Sequence, residues 1–104
     1  RVLAYIRAHL SAKPDLAALA AVSCLSKDHL IRLFKREMNA TPLSYINQKR
    51  VERAQLRLLT ESTPVKEIAY QLGFEDQTYF NRIFKKITGL TPMSYRKSSH
   101  DRML

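Results

Sequence analysis

The 104-residue sequence contains one cysteine, two glycines and half as many acidic as basic side chains. A single cysteine excludes a disulfide within the chain, and together with only three scattered histidines it argues against a zinc site. Two glycines leave no phosphate-cradling loop of the nucleotide-binding type. Uncharged apolar stretches such as Leu16–Val22 are far shorter than the ~20 residues that a membrane span needs. These features disfavour disulfide scaffolds, zinc modules, nucleotide-binding enzymes and membrane-spanning proteins.

What is present is a strongly basic chain the size of one domain. Lysine and arginine number 18 against 9 acidic residues, which gives a formal net charge of +9, and 45% of the residues are hydrophobic. This composition predicts a globular domain whose partner is a polyanion, with no cofactor. No secretion or transit signal is visible, and the chain opens directly on the helix-like residues Arg1–Ile6. We therefore expect a fragment, or the last domain, of a longer protein.

An internal repeat is the most informative feature of the sequence. Residues 30–45 and 80–95 are identical at seven of 16 positions, where roughly one match is expected from average composition. Upstream, Leu19-Ala20 corresponds to Ile68-Ala69 at a shift of 49 instead of 50, so the second copy has one additional residue in between. The chain is therefore a duplication.

Each copy reads as short helices with clear start and stop signals. Ser26 and Asp76 are expected to cap a helix in their respective copies, and Asn39 and Gly89 are expected to end it in the left-handed conformation. Thr-Pro pairs at 41–42 and 91–92 predict a capped start for the following helix, and Thr63-Pro64 is expected to open a helix in the second copy. Six apolar side chains are expected in the hydrophobic core. Four lie on the helices that Ser26 and Asp76 cap, and two follow the Thr-Pro pairs: Leu30, Phe34, Phe80, Phe84, Tyr45 and Tyr95.

Between the copies, residues 42–60 contain no helix breaker after Pro42 and keep four apolar residues near one face, Ile46, Val51, Ala54 and Leu58. We predict one long connecting helix here. The fold class is therefore all-α with about seven helices: a first helix-turn-helix subdomain over residues 1–41, the connecting helix over 42–60 and a second subdomain over 61–104.

A short helix, a tight turn and a second amphipathic helix with a basic outer face form the helix-turn-helix pattern of DNA-binding proteins. In the second copy the outer face carries Gln77, Asn81 and Arg82, whose amide and guanidinium groups suit adenine and guanine edges. About 18 residues of connecting helix span roughly 27 Å, which is near the ~34 Å between successive major-groove faces. One chain is thus expected to reach two adjacent turns of an asymmetric site.

Several side chains leave more than one interpretation open. Arg32 and Arg82 suit either contact with DNA or a structural ion pair. Three arginines of the connecting helix suit either pairing with Glu52 or Glu61 or contact with the DNA backbone, namely Arg50, Arg53 and Arg57. Cys24 is expected to be a small buried or half-buried apolar residue, since no second thiol lies nearby.

The segments Leu30–Lys35, Ile68–Lys86 and Gly89–Arg96 resemble the DNA-binding domain of the AraC/XylS transcription regulators, and the resemblance covers essentially the whole chain. It implies two helix-turn-helix subdomains that bind promoter DNA. Cys24 departs from the family pattern, which usually has glycine in the first turn. The resemblance assigns base contacts to these positions: Asp28, Ile31, Arg32, Gln77, Thr78, Asn81 and Arg82. The basic side chains beside them are interpreted as phosphate contacts in preference to a merely solvated face: Lys27, Lys35, Arg36, Lys85 and Lys86.

The expected partners are double-stranded promoter DNA and RNA polymerase, in the bacterial cytoplasm at the nucleoid, with neither a membrane nor an effector bound by this domain. The resemblance places effector binding or dimerisation in a companion domain. The alternative is an interaction module that contacts polymerase or another regulator and binds DNA without sequence specificity. No nucleophile–base pair or carboxylate pair supports an enzyme, and the apolar faces are needed for a core, which argues against a membrane-surface helix.

Overall fold

The computed structural model describes residues 2–9 and 16–103, with the backbone alone for Val2 and residues 99–103. Over this part the chain is all-α, as predicted, with seven helices and no strand: α1 Val2–Ala8, α2 Leu16–Ser23, α3 Lys27–Met38, α4 Pro42–Thr60, α5 Val65–Gln71, α6 Gln77–Thr88 and α7 Pro92–Met103. The described residues divide into two compact units, one up to Lys49 and one from Arg50 onward, and the division falls within α4.

The helix boundaries are fixed by the capping signals read from the sequence. The Ser26 hydroxyl accepts a hydrogen bond from His29 N at 3.2 Å, and the Asp76 Oδ1 accepts one from Tyr79 N at 2.7 Å. Asn39 and Gly89 end their helices in the left-handed conformation, at φ 55° and 88°. These bonds satisfy amide groups that a helix start leaves unpaired, so the local chemistry determines where each helix begins.

The start of the next helix is also repeated. The hydroxyls of Thr41 and Thr91 accept hydrogen bonds from Ser44 N and Ser94 N, both at 3.1 Å. The Thr-Pro signals at these two places are therefore confirmed as capped helix starts, with proline at the first helical position. The predicted connecting helix is confirmed as α4, with the expected bounds.

Each unit has its own hydrophobic core. The core of the first unit consists of Ile6, Leu19, Ala20, Leu30, Phe34, Tyr45 and Ile46. The core of the second consists of Val51, Ala54, Leu58, Val65, Ile68, Ala69, Leu72, Phe74, Phe80 and Phe84, with Tyr95 packed against it. All six predicted core positions are buried or half-buried. The apolar face of α4 is divided between the two cores, since Ile46 belongs to the first and Val51 to the second.

Candidate nucleic-acid interface

The two predicted reading helices, α3 and α6, are built in the same way. Each buries two large apolar side chains one turn apart, Leu30 and Phe34 in α3 and Phe80 and Phe84 in α6. This spacing gives the helix one buried stripe and leaves the opposite stripe to solvent. Both helices end with two basic residues in the last turn, where their positive charges interact favourably with the negative end of the helix dipole.

The turn that precedes each reading helix has the same hydrogen bonds in both units. Leu25 N donates to Ala20 O at 3.1 Å in the first unit, and Phe74 N donates to Ala69 O at 3.0 Å in the second. The residue before each of these donors has a positive φ, 59° at Cys24 and 100° at Gly73. The repeat therefore preserves the backbone of the turn although glycine is present in only one copy.

Cys24 is exposed, so the prediction that it is a buried or half-buried apolar residue is wrong. The cause is its position in the turn: a residue in the left-handed conformation between α2 and α3 directs its side chain away from the core. An L-residue with a Cβ is strained at this φ, which glycine tolerates without cost.

On α3, most of the side chains assigned to DNA contact lie on the exposed stripe, and one lies beside it. Ile31 is half-buried; Lys27, Asp28, Arg32, Lys35 and Arg36 are exposed. An ion pair joins Arg36 to Glu37 at 3.6 Å, but both side chains are more than half exposed, so it restrains the arginine little. The first reading helix thus presents four exposed cations and two exposed carboxylates, Asp28 and Glu37.

On α6, the assigned side chains occupy two adjacent rows. Thr78, Arg82, Lys85 and Lys86 are exposed, whereas Gln77 and Asn81 are half-buried along the flank of the helix. The Oδ1 atom of Asn81 is enclosed and has no hydrogen-bond partner among the residues that the structure describes. Arg82 and Thr78 are therefore the most accessible of the four residues assigned to base contact in this unit.

Arg82 contacts an aromatic ring that the sequence analysis did not single out. Its guanidinium carbon lies 5.4 Å from the centroid of the Tyr79 ring, within the range of a cation–π interaction. The i, i+3 spacing of the two residues on a helix is the signal that would have pointed to this pair.

The structure also separates the arginines of α4. Arg57 donates from Nε and Nη2 to the two carboxylate oxygens of Glu61, both at 2.9 Å, which is the ion-pairing alternative. These hydrogen bonds raise the pKa of Arg57, and those from Arg57 and then Thr63 lower the pKa of the Glu61 carboxyl.

Arg50 differs from Arg57 in that it is buried within the second unit. Its side chain is 6% exposed, and its guanidinium carbon lies 5.4 Å from the centroid of Phe74, the residue after the glycine of the second turn. Burial lowers the pKa of Arg50, and the nearby Tyr79 raises it by less. Arg50 is thus buried beneath this turn.

Arg96 is a further residue that the sequence did not reveal. Its guanidinium donates to three backbone carbonyls, those of Leu58 at 3.2 Å, Glu61 at 3.2 Å and Thr63 at 2.8 Å. These contacts join α7 to the end of α4 and the loop that leads into α5 within the second unit.

Within residues 2–9 and 16–103, no group of three or more histidine, cysteine, aspartate or glutamate side chains is placed to hold a metal ion. No helix there is both long enough and apolar enough to span a bilayer.

Comparison with known proteins identifies the architecture. The family described as "Helix-turn-helix domain" matches residues 19–98. The arabinose operon regulatory protein of Escherichia coli (strain K12) is 35% identical over 100 residues, which are 95% of this chain and 34% of that protein. The chain therefore spans about a third of the length of the curated relatives it matches.

Solved structures agree with this comparison. The DNA-binding domain of AdpA, described as a global transcriptional factor and solved with a target DNA, superposes with a TM-score of 0.92 at 30% identity, covering 97% of this chain and 91% of that one. The C-terminal domain of AraT, a response regulator from Geobacillus stearothermophilus, gives a TM-score of 0.88 at 32% identity, with 94% and 82% covered.

The relatives are named as regulators and their family is not enzymatic, so the prediction of a non-enzyme is confirmed. The repeated turns, the capped amphipathic helices α3 and α6 and these similarities lead to one conclusion: the chain belongs to the AraC/XylS family of helix-turn-helix domains.

Proposed function

We propose that this chain is the double-stranded DNA-binding domain of a bacterial transcription regulator and reads a specific promoter sequence. The observation that carries the proposal is the repeated unit itself. In each copy a turn closed by backbone hydrogen bonds is followed by an amphipathic helix whose solvent-facing side is polar and basic. Such a helix fits the ~12 Å major groove, where side chains reach base edges. The net charge of +9 adds attraction to phosphates that is independent of sequence.

In this proposal the assigned side chains of α3 and α6 divide into base contacts and phosphate contacts. Base contacts come from Asp28, Ile31 and Arg32 in α3 and from Gln77, Thr78, Asn81 and Arg82 in α6. Phosphate contacts come from Lys27, Lys35, Arg36, Lys85 and Lys86. The exposure of Arg82 and the capacity of a guanidinium to pair with both guanine acceptors support a leading role for this residue. A head-to-tail duplication with different side chains on each reading helix favours an asymmetric site that covers two adjacent major grooves.

Selection from a randomised duplex pool, sequenced over several rounds at two salt concentrations, tests the proposal. We expect convergence on an asymmetric site of about two helical turns. Salt-sensitive binding without convergence would contradict sequence reading and would favour an interaction module that holds DNA through phosphates alone.

Two variants then separate base from phosphate contacts on the selected site. Arg82→Ala is expected to cost ~1–3 kcal/mol on that site and to relax specificity at one base pair, with little change on scrambled DNA. Lys85→Ala, which removes a cation from the same helix, is expected to weaken both duplexes alike and to flatten the salt dependence. Equal weakening of both duplexes by Arg82→Ala would refute its base-reading role.

We further propose that the full-length protein acts at the bacterial nucleoid, contacts RNA polymerase at its promoter and carries a companion domain for effector binding or dimerisation. The regulatory names of the relatives, and the share of their length that this chain leaves unmatched, support this view. Transcription in vitro from a promoter that holds the selected site, with and without the full-length protein, tests it. An unchanged transcript level would contradict the polymerase contact.

A further inference from the structure

The exposed Arg82 is attached to the interior of the second unit by a series of ring contacts. Its guanidinium carbon lies 5.4 Å from the centroid of the half-buried Tyr79 ring. The Tyr79 ring lies 6.0 Å from that of Phe74, centroid to centroid, with a tilt of 50°. The guanidinium carbon of the buried Arg50 lies 5.4 Å from the Phe74 centroid. We call these four side chains, Arg50, Phe74, Tyr79 and Arg82, the cation–ring column.

The inner half of the column is well fixed. Phe74 is 2% exposed and follows the left-handed Gly73, and its ring also packs on Phe80 with 4.9 Å between centroids. Arg50 extends from α4 and is 6% exposed. Tyr79 therefore rests on groups that do not move freely, and it offers its ring to a side chain one turn further along α6.

Arginine has a long side chain whose rotamer freedom is lost when it binds a base. A ring beneath the guanidinium restricts that freedom before DNA arrives and leaves the planar edge with its N–H donors turned outward. The entropy lost on binding is then smaller, and the orientation needed for a bidentate contact is favoured.

The described part of the first unit does not contain this arrangement. At the positions equivalent to Phe74, Tyr79 and Arg82 it has Leu25, His29 and Arg32. Within the described residues no aromatic ring lies beneath the Arg32 guanidinium, and His29 is exposed. The two reading arginines therefore occupy the same repeat position with different degrees of restraint.

We propose that Tyr79 is a specificity-determining positioning residue, which holds Arg82 in the orientation that reads its base and makes the second unit the more discriminating one. This inference rests on the proposed function, because it requires Arg82 to contact a base. It assigns no DNA contact to Tyr79 itself.

The test is a double-mutant cycle measured on the selected duplex and on a scrambled duplex of equal length. Tyr79→Leu is expected to weaken binding to the selected site about two- to five-fold, the range that corresponds to a solvent-exposed cation–π contact, and to leave scrambled DNA unchanged. Tyr79→Phe, which keeps the ring, is expected to bind like the unaltered protein. In the Arg82→Ala background, Tyr79→Leu is expected to have no further effect.

The matched control is Tyr70→Leu, because Tyr70 is a tyrosine of the same unit that is 77% exposed on α5 and is not part of the column. It is expected to leave both affinities unchanged. All variants are compared at a temperature where circular dichroism shows each of them fully folded, so that a loss of stability is not read as a loss of specificity.

The outcomes separate the two proposals. If Arg82→Ala keeps full discrimination, the base contact fails and the positioning role fails with it. If Arg82→Ala loses discrimination but Tyr79→Leu does not, the positioning role alone is overturned. The positioning role is also overturned if Tyr79→Leu weakens binding to the selected site equally with and without Arg82. It is overturned as well if Tyr70→Leu changes the ratio of the affinities for the selected and scrambled duplexes as much as Tyr79→Leu does.

Discussion

The hydrogen bonds of Arg96 lead to a quantitative prediction about the stability of the second unit. Replacing Arg96 with methionine keeps most of the aliphatic stem and removes the guanidinium that donates to the carbonyls of Leu58, Glu61 and Thr63. The Leu58 carbonyl is among the last four of α4, which a helix cannot pair by itself. The positive charge also faces the negative end of this helix.

The magnitude follows from the number and type of these bonds. A hydrogen bond to a charged group contributes about 1.5–3 kcal/mol net when the groups are desolvated. Arg96 is only half-buried, so the lower value of about 1.5 kcal/mol applies to each bond, and because the three bonds share one side chain we count their combined contribution as about two independent bonds. We expect Arg96→Met to lower the free energy of unfolding by about 3 kcal/mol, which is a large part of the 5–15 kcal/mol typical of a domain.

Urea unfolding followed by circular dichroism measures this difference. Lys97→Met is the matched control, since it removes the same charge from the next, exposed position of α7 and is expected to change stability by less than ~0.5 kcal/mol. Arg96→Lys keeps the charge but loses the forked donor, and we expect it to restore less than half of the loss. Equal stability of the Arg96→Met and Lys97→Met proteins would refute the reasoning, and full recovery by lysine would show that charge alone suffices.

Two further predictions concern a strained turn and an exposed ion pair. Cys24→Gly is expected to raise the free energy of unfolding by about 0.5–1 kcal/mol, because the left-handed strain at φ 59° is relieved and the greater freedom of glycine in the unfolded chain offsets only part of that gain; a destabilised protein in urea titration would contradict this. The pKa of the Glu61 carboxyl is lowered by its hydrogen bonds from Arg57 and Thr63. The ionised carboxylate therefore stabilises the folded state above the unfolded-state pKa of Glu61, and this stabilisation is lost as the pH falls through the lower folded-state pKa. The stability difference between the unaltered protein and Glu61→Gln should therefore be largest near neutral pH and should shrink below about pH 4; a difference that does not vary with pH in urea titrations would exclude the linkage.

The base-contact residues assigned on α6 show what a helical sequence pattern predicts and what it does not. From spacing alone, Gln77, Asn81 and Arg82 fall near one face of a helix. In the structure they differ in solvent exposure, because Arg82 is exposed whereas Gln77 and Asn81 lie half-buried on the flank. This difference depends on how α6 is rotated about its axis when Phe80 and Phe84 pack into the core. Such a rotation is set by the packing of several helices, and the periodicity of one helix does not define it.

Local chemistry was sufficient for the framework of this protein. Caps at Ser26 and Asp76, left-handed stops at Asn39 and Gly89 and the repeated Thr-Pro starts each act over a few residues, so the sequence by itself determined the helix order and most helix bounds. The resemblance to the AraC/XylS family is also carried by continuous segments of the chain, Leu30–Lys35, Ile68–Lys86 and Gly89–Arg96.

Contacts between residues far apart in sequence were decided only by the tertiary structure. Arg96 reaches carbonyls 33 to 38 residues earlier in the chain, while the equivalent position of the first copy, Ile46, is a core residue at 2% exposure. Arg50 looked like one of three similar arginines, yet it is buried against Phe74 across the turn. The same residue type, or the same place in a repeat, thus acquires different roles because burial and partners depend on which helices pack around it.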